Sequence, residues 1–162
     1  MTLDEHDNDP VRFWTYVINA LRTFDAAIGK TALAALTTSQ PPSFQVVLVL
    51  VINDLARISR PSVLVLEDYH SITAPEIHAA VAFLLPHLPA SLHLVLITRT
   101  EPNLPLGILR ARDEMLEVNA ANLRFSLDET AAFLREGLKV EISLPVLERL
   151  HARTEGWAAG LR

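Results

Sequence analysis

Residues 62–70 read Ser-Val-Leu-Val-Leu-Glu-Asp-Tyr-His and residues 92–100 read Leu-His-Leu-Val-Leu-Ile-Thr-Arg-Thr. Each is a short, continuous apolar run that ends abruptly in charge. Ser62–Leu66 and Leu92–Thr98 are apolar on both faces, which is the pattern of strands buried in a parallel sheet. Arg60-Pro61 closes whatever precedes the first run, and Thr73-x-x-Glu76 between the two has the form of a capping box. It is expected to open a helix carrying Ile77, Val81, Leu84 and Leu88. Strand, helix, strand in that order implies an α/β sheet with helices on its faces.

Outward from this unit the same alternation continues. Asp9-Pro10 is a helix start, because the carboxylate can accept orphan amides and proline has none to leave unpaired. Trp14, Val17, Ile18 and Leu21 then recur at helical spacing. Gln40-Pro41-Pro42 is a break. Phe44, Val47, Leu48, Val51, Leu55 and Ile58 fit a second helix; the many β-branched residues allow a strand, but the length favours helix. Pro102 and Pro105 mark a loop, and Met115–Val118 is expected to be a third, short strand. After residue 124 the texture becomes helical. Ser126-x-x-Glu129 is another capping box, followed by Leu127, Ala131, Leu134 and Leu138, and Ser143 with Pro145 starts a further helix. The expected division is therefore 1–124, an α/β core, and 125–162, the start of an all-helical subdomain.

Composition narrows the chemistry. The 162 residues suit one domain with a modest core. Half are apolar, a fifth are charged, and the net charge is −5, which gives this segment no electrostatic reason to bind nucleic acid directly. The absence of cysteine excludes disulfides, thiolate metal sites and a cysteine nucleophile. The longest apolar run, Val46–Ile52, is far short of the roughly twenty residues that span a bilayer. No basic segment followed by an apolar one marks a signal peptide at the start, so a cytoplasmic location with no membrane association is expected.

Ligands of open parallel sheets bind beyond the carboxyl ends of the strands. Glu67 and Asp68 stand there on the first strand and Arg99 on the second. Adjacent carboxylates offer the hard oxygens that Mg²⁺ takes together with waters and substrate phosphates. An arginine beside them can grip phosphate bidentately. Equally, Glu67 and Asp68 can simply cap the loop that follows. Gly29-Lys30-Thr31 has the ending of a phosphate-binding loop, but the position that needs the first glycine is Phe24 and no apolar strand precedes it, so a plain turn into a helix is expected. His70, His78, His87 and His93 lack metal-ligand spacing. Asp68, His70 and Ser71 are too close in sequence for a hydrolytic triad. Trp157 between Gly156 and Gly160 reads as a packed aromatic beside a close helix contact. Arg149, Arg153 and Arg162, interleaved with Glu148 and Glu155, are too few to read DNA.

The segments LDEHDNDPVRFWTYVINAL, VLVLEDYHSI, LVLITRTEPNLPLGILRARDEMLEV, LRFSLDETAAFL and ARTEGWAAGLR occur in this order. Together they resemble the nucleotide-binding region of MalT-like, LuxR-type ATP-dependent transcriptional regulators, in the STAND group of P-loop NTPases. The resemblance implies that Leu-Glu-Asp-Tyr-His is the Walker B strand, with Glu67 in the usual Mg²⁺-linked place and Asp68 as the second, catalytic acid. Arg99 matches the arginine thought to sense the terminal phosphate of ATP. It implies an incomplete P-loop NTPase-like parallel sheet, with Ser62–Leu66 between Leu92–Thr98 and a strand whose last residue is Leu3. The family's phosphate-loop strand would sit between Leu92–Thr98 and Met115–Val118. That strand, its glycine-rich loop and its lysine precede the segment at which this chain starts, while the sensor solenoid and the DNA-binding helix-turn-helix follow it. The expectation is an internal slice that binds ATP and Mg²⁺ weakly or not at all and has no ATPase activity alone, with Met115–Val118 unpaired. The competing expectation is a stand-alone adaptor that self-associates or pairs with a full-length regulator through an exposed sheet edge; a third is a remnant without function.

Overall fold

The computed structural model describes residues 1–38, 42–137, 139 and 141–161. Gln40 and Pro41 of the predicted break, Leu138 and Arg162 lie outside the described residues. The chain forms two compact units, Met1–Gly107 and Ile108–Arg162; the change of texture read from the sequence falls later, at 124.

The first unit is built on β1 (Ser62–Leu66) and β2 (Leu92–Leu96), which pair in parallel with Ser62 opposite Leu92 and Leu66 opposite Leu96. On the other side of β1, the Leu3 amide donates to the Glu67 carbonyl at 2.9 Å and the Glu67 amide to the Met1 carbonyl at 2.9 Å, so residues 1–3 run alongside the strand's end. Helices α1 (Pro10–Leu21), α2 (Lys30–Leu36), α3 (Phe44–Leu55) and α4 (Pro75–Leu84) supply the rest. Trp14, Val17, Ile18 and Leu21 of α1 are buried, as their spacing predicts, together with Val47, Leu48, Val51 and Leu55 of α3. They form one core with Leu64 and Leu66 of β1, Leu92 of β2, and Ile77, Val81 and Leu84 of α4. Length did decide α3: the β-branched residues fit a helix because its apolar positions recur on one face.

Two expectations fail. The strands are covered on one face only, and Val63, Val95 and Ile97 on the opposite face are exposed. The Thr73/Glu76 capping box does not form. The helix cap is Ala74, which has no side-chain acceptor. Instead Asn8, from the single-turn helix Glu5–Asn8, reaches across and its side-chain oxygen accepts from the Thr73 amide (2.6 Å), the Thr73 hydroxyl (3.2 Å) and the Ala74 amide (2.9 Å). The Asn8 amide nitrogen donates to the carbonyls of Glu5 (3.0 Å) and Ser71 (2.8 Å). The Thr73 hydroxyl is thus a donor to Asn8 and has no role as the cap.

Helices are the regular elements of the second unit among its described residues. After α5 (Leu106–Ala111), where the two units divide, come α6 (Ala120–Leu123), α7 (Leu127–Ala132) running into a π-turn at Phe133–Gly137, and α8 (Leu144–Thr154). Met115–Val118 is not a strand, and Leu116 is 89% exposed. A short apolar segment becomes a strand only beside an edge that takes up its amides. The Ser126 box forms as predicted: Ser126 Oγ accepts the Glu129 amide at 3.2 Å and Glu129 Oε2 accepts the Ser126 amide at 2.8 Å. Buried Thr130 on α7 meets His151 Nδ1 on α8 at 3.1 Å. Gly156 has a positive φ of 77°, and a Cβ there would lie 2.5 Å from the Phe125 carbonyl oxygen. Trp157 is half exposed under the Arg124 guanidinium rather than packed inside.

Two outcomes are expected. Asn8→Ala removes both the surrogate cap and the Ser71 tie, and lowers stability by about 2 kcal/mol in urea denaturation. The bond from the Ser126 amide holds the Glu129 carboxyl below its ordinary pKa of 4.5. Such a group stabilises fully above the unfolded-state pKa and loses its effect as pH falls through the folded-state value. Glu129→Gln therefore melts below the parent at neutral pH in thermal scans, and the two curves converge on acidification.

Candidate functional site

In a regular parallel ladder the Ile97 carbonyl would receive the Asp68 amide, because the Ile97 amide donates to the Leu66 carbonyl at 2.9 Å. The Tyr69 amide takes that place, at 3.0 Å. Asp68 is the extra residue, held at φ 57° and ψ 36°. Aspartate is among the few side chains that tolerate this left-handed conformation. The kink ends β1, starts the short turn Tyr69–Ser71, and tips the Asp68 carboxylate out of the ladder.

The structure places all three predicted site residues at one sheet edge. Glu67 follows β1 directly, is exposed, and accepts a hydrogen bond from the Thr2 hydroxyl at 2.8 Å. The Asp68 carboxylate is 42% exposed and accepts no hydrogen bond among the described residues; His70 Nδ1 stands 3.8 Å away. Arg99 lies just beyond β2, beside the kinked end of β1, exposed and without an ion pair among the described residues. The oxygens of Glu67 and Asp68 are the hard donors that Mg²⁺ takes, and the open Asp68 carboxylate fits an ion that keeps most of its waters. Among the described residues no three His, Asp or Glu side chains converge to hold a metal unaided. His70 and Ser71 make no hydrogen bond to each other among the described residues, so no triad forms.

The corner is held from behind by residues whose sequence pattern announced nothing. Tyr69 is fully buried and its hydroxyl meets Nδ1 of buried His78 on α4 at 3.0 Å, the rings standing edge to face at 5.5 Å. Burial pushes the phenol's pKa up, so it stays protonated and keeps an O–H to offer Nδ1. Asn8 holds the far end of the same loop.

Gly29-Lys30-Thr31 is a turn into a helix, as expected. Gly29 caps α2 at φ 66°, and its amide donates to Asp54 Oδ2 on α3 at 2.8 Å. A helix start already neutralised by an internal carboxylate is no phosphate site. No helix among the described residues is long and apolar enough to cross a membrane.

Comparison with protein-family models finds no match. Among curated proteins the chain is similar to the HTH-type transcriptional regulator MalT of Yersinia enterocolitica, with 34% identity over 161 residues. The aligned region is 99% of this chain and 18% of that protein, so the similarity to MalT runs along the chain's length while the chain spans under a fifth of that relative.

The glycine's role here is conformational. A Cβ at Gly29 would lie 2.2 Å from Ile18 Cγ2 on a positive-φ backbone. Gly29→Ala is expected to lower stability by about 2 kcal/mol or more, whereas Lys30→Ala stays within about 0.5 kcal/mol, both by chemical denaturation.

Proposed function

We propose that this chain forms the acidic and arginine side of a nucleotide-binding core in a MalT-like, LuxR-type transcriptional regulator of the STAND group, acting in the cytoplasm. The observation that carries the proposal is the alignment with MalT along 99% of the chain. It falls on a chain whose paired strands bring Glu67, Asp68 and Arg99 to one edge. In this reading the core is P-loop NTPase-like, with 1–124 as the partial α/β part and 125–162 as the start of the helical subdomain.

The nucleotide is ATP, and Glu67 and Asp68 hold its Mg²⁺, which when bound neutralises charge on the phosphates. The open carboxylate of Asp68 orients the attacking water, and Arg99 takes the terminal phosphate oxygens in its planar fork. Firm binding of a triphosphate needs a cradle of amides and a lysine. Another part of the regulator supplies that cradle and contacts the DNA, so this segment alone binds ATP weakly and does not turn it over. A second reading rests on the outer edge of β2, which pairs with no strand among the described residues. Its apolar Leu-His-Leu-Val-Leu run invites a strand from a second copy or from a full-length regulator.

Calorimetric titration of the chain with Mg·ATP is expected to give a Kd of about 1 mM or weaker, with the residual heat lost in Asp68→Asn. ATP turnover above background that disappears in Asp68→Ala would overturn the proposal that the segment is inactive alone. Sedimentation velocity showing a monomer at every concentration, together with no co-sedimentation with a full-length MalT-like regulator, removes the second reading.

A further inference from the structure

We propose that Tyr69 and His78 are positioning residues of the carboxylate corner: the buried phenol–imidazole bond ties α4 to the kink at Asp68 and sets where that carboxylate points. The proposal rests on the reading of Glu67 and Asp68 as the Mg²⁺ corner. Its geometry stands apart from that reading.

Asp68 occupies a left-handed conformation that aspartate tolerates but does not prefer, so its surroundings select it. Neither Asp68 oxygen is hydrogen-bonded among the described residues, so its own side chain does not hold the kink. The constraint comes from the next residue. The Tyr69 amide is fixed to β2 through the Ile97 carbonyl, and its side chain is fixed to α4 through His78 Nδ1. With both ends of Tyr69 anchored, Asp68 is the residue left to absorb the mismatch between strand and loop. The start of α4 is in turn fixed by Asn8, which also holds the Ser71 carbonyl. A displacement of α4 is therefore transmitted through Tyr69 to Asp68, and the bond couples helix position to the geometry of the acidic edge. Glu67, held by Thr2 on the other side, stays in place when the coupling is cut.

The test uses the full chain with Tyr69→Phe, His78→Leu and His78→Asn. The asparagine keeps an acceptor where Nδ1 stood; the leucine removes it. In the metal-free chain, amide hydrogen exchange at positions 69 and 71 is expected to accelerate about ten-fold in Tyr69→Phe and His78→Leu. The Val95 amide inside β2 keeps its protection, and His78→Asn stays near the parent. Mn²⁺ alone, followed by its paramagnetic resonance signal, is expected to bind about ten-fold more weakly to the first two variants, with recovery in His78→Asn. If Tyr69→Phe fails to fold, the contrast between His78→Leu and His78→Asn decides. Unchanged exchange at 69 and 71 in folded variants, or equal loss in His78→Leu and His78→Asn, overturns the positioning role. A parent chain that binds no Mn²⁺ overturns the metal reading instead, and the exchange data then settle the positioning role by themselves.

Discussion

The hydrogen bond from the Tyr69 amide to the Ile97 carbonyl is the constraint on which the candidate site depends. It carries the pairing of β1 and β2 one residue beyond its regular register, and Asp68 turns outward because of it. Without that bond Asp68 would continue the strand and its side chain would fall on the face of Leu64 and Leu66, toward the core. With it, the two strand ends carry Glu67 and Asp68 on one strand and Arg99 on the other. Parallel strands make this possible, since both chains leave the sheet at the same edge.

The corner is rigid because three separate elements hold it. Thr2, on the segment beside β1, binds Glu67; Asn8 ties the loop's far end and caps α4; His78 holds Tyr69 from within. Each of these partners is polar, and two of them sit against the core. A buried or half-buried polar group that loses its partner costs more than the bond contributed, so the three contacts reinforce one another. The backbone that carries Glu67 and Asp68 is thus held, while of the Glu67, Asp68 and Arg99 side chains only that of Glu67 has a hydrogen-bond partner among the described residues.

What the amino-acid order reveals and what it conceals follow from the range of the forces. The strand 62–66, the strand expected over 92–98 and found over 92–96, helix α3 and the Ser126 cap depend on neighbours within a few positions, and each was legible in type. Glu67, Asp68 and Arg99 were legible as residues at strand ends, because any apolar run ending in charge puts that charge at the sheet's rim. The kink at Asp68 was not, since its cause lies across the sheet at Ile97. Asn8 serves as the cap of α4 from more than sixty positions away in sequence, and nothing local marks it. The Thr73/Glu76 pattern was misleading for the same reason: a better-placed side chain had taken the amides. Met115–Val118 misled because a short apolar run is a weak signal, and of its four residues only Val118 favours a strand.

The amides of the first unit bear on how a triphosphate could be held. Anion sites at helix starts need unpaired N–H groups. The start of α1 gives the Arg12 amide to Asp9, that of α2 gives Gly29 to Asp54, and that of α4 gives Thr73 and Ala74 to Asn8. At all three, an internal oxygen already sits where a phosphate oxygen would, and two of those oxygens are carboxylates that would repel it. The unit therefore withholds the backbone grip at these helix starts, and Arg99 and the two carboxylates stand apart from them at the ends of β1 and β2.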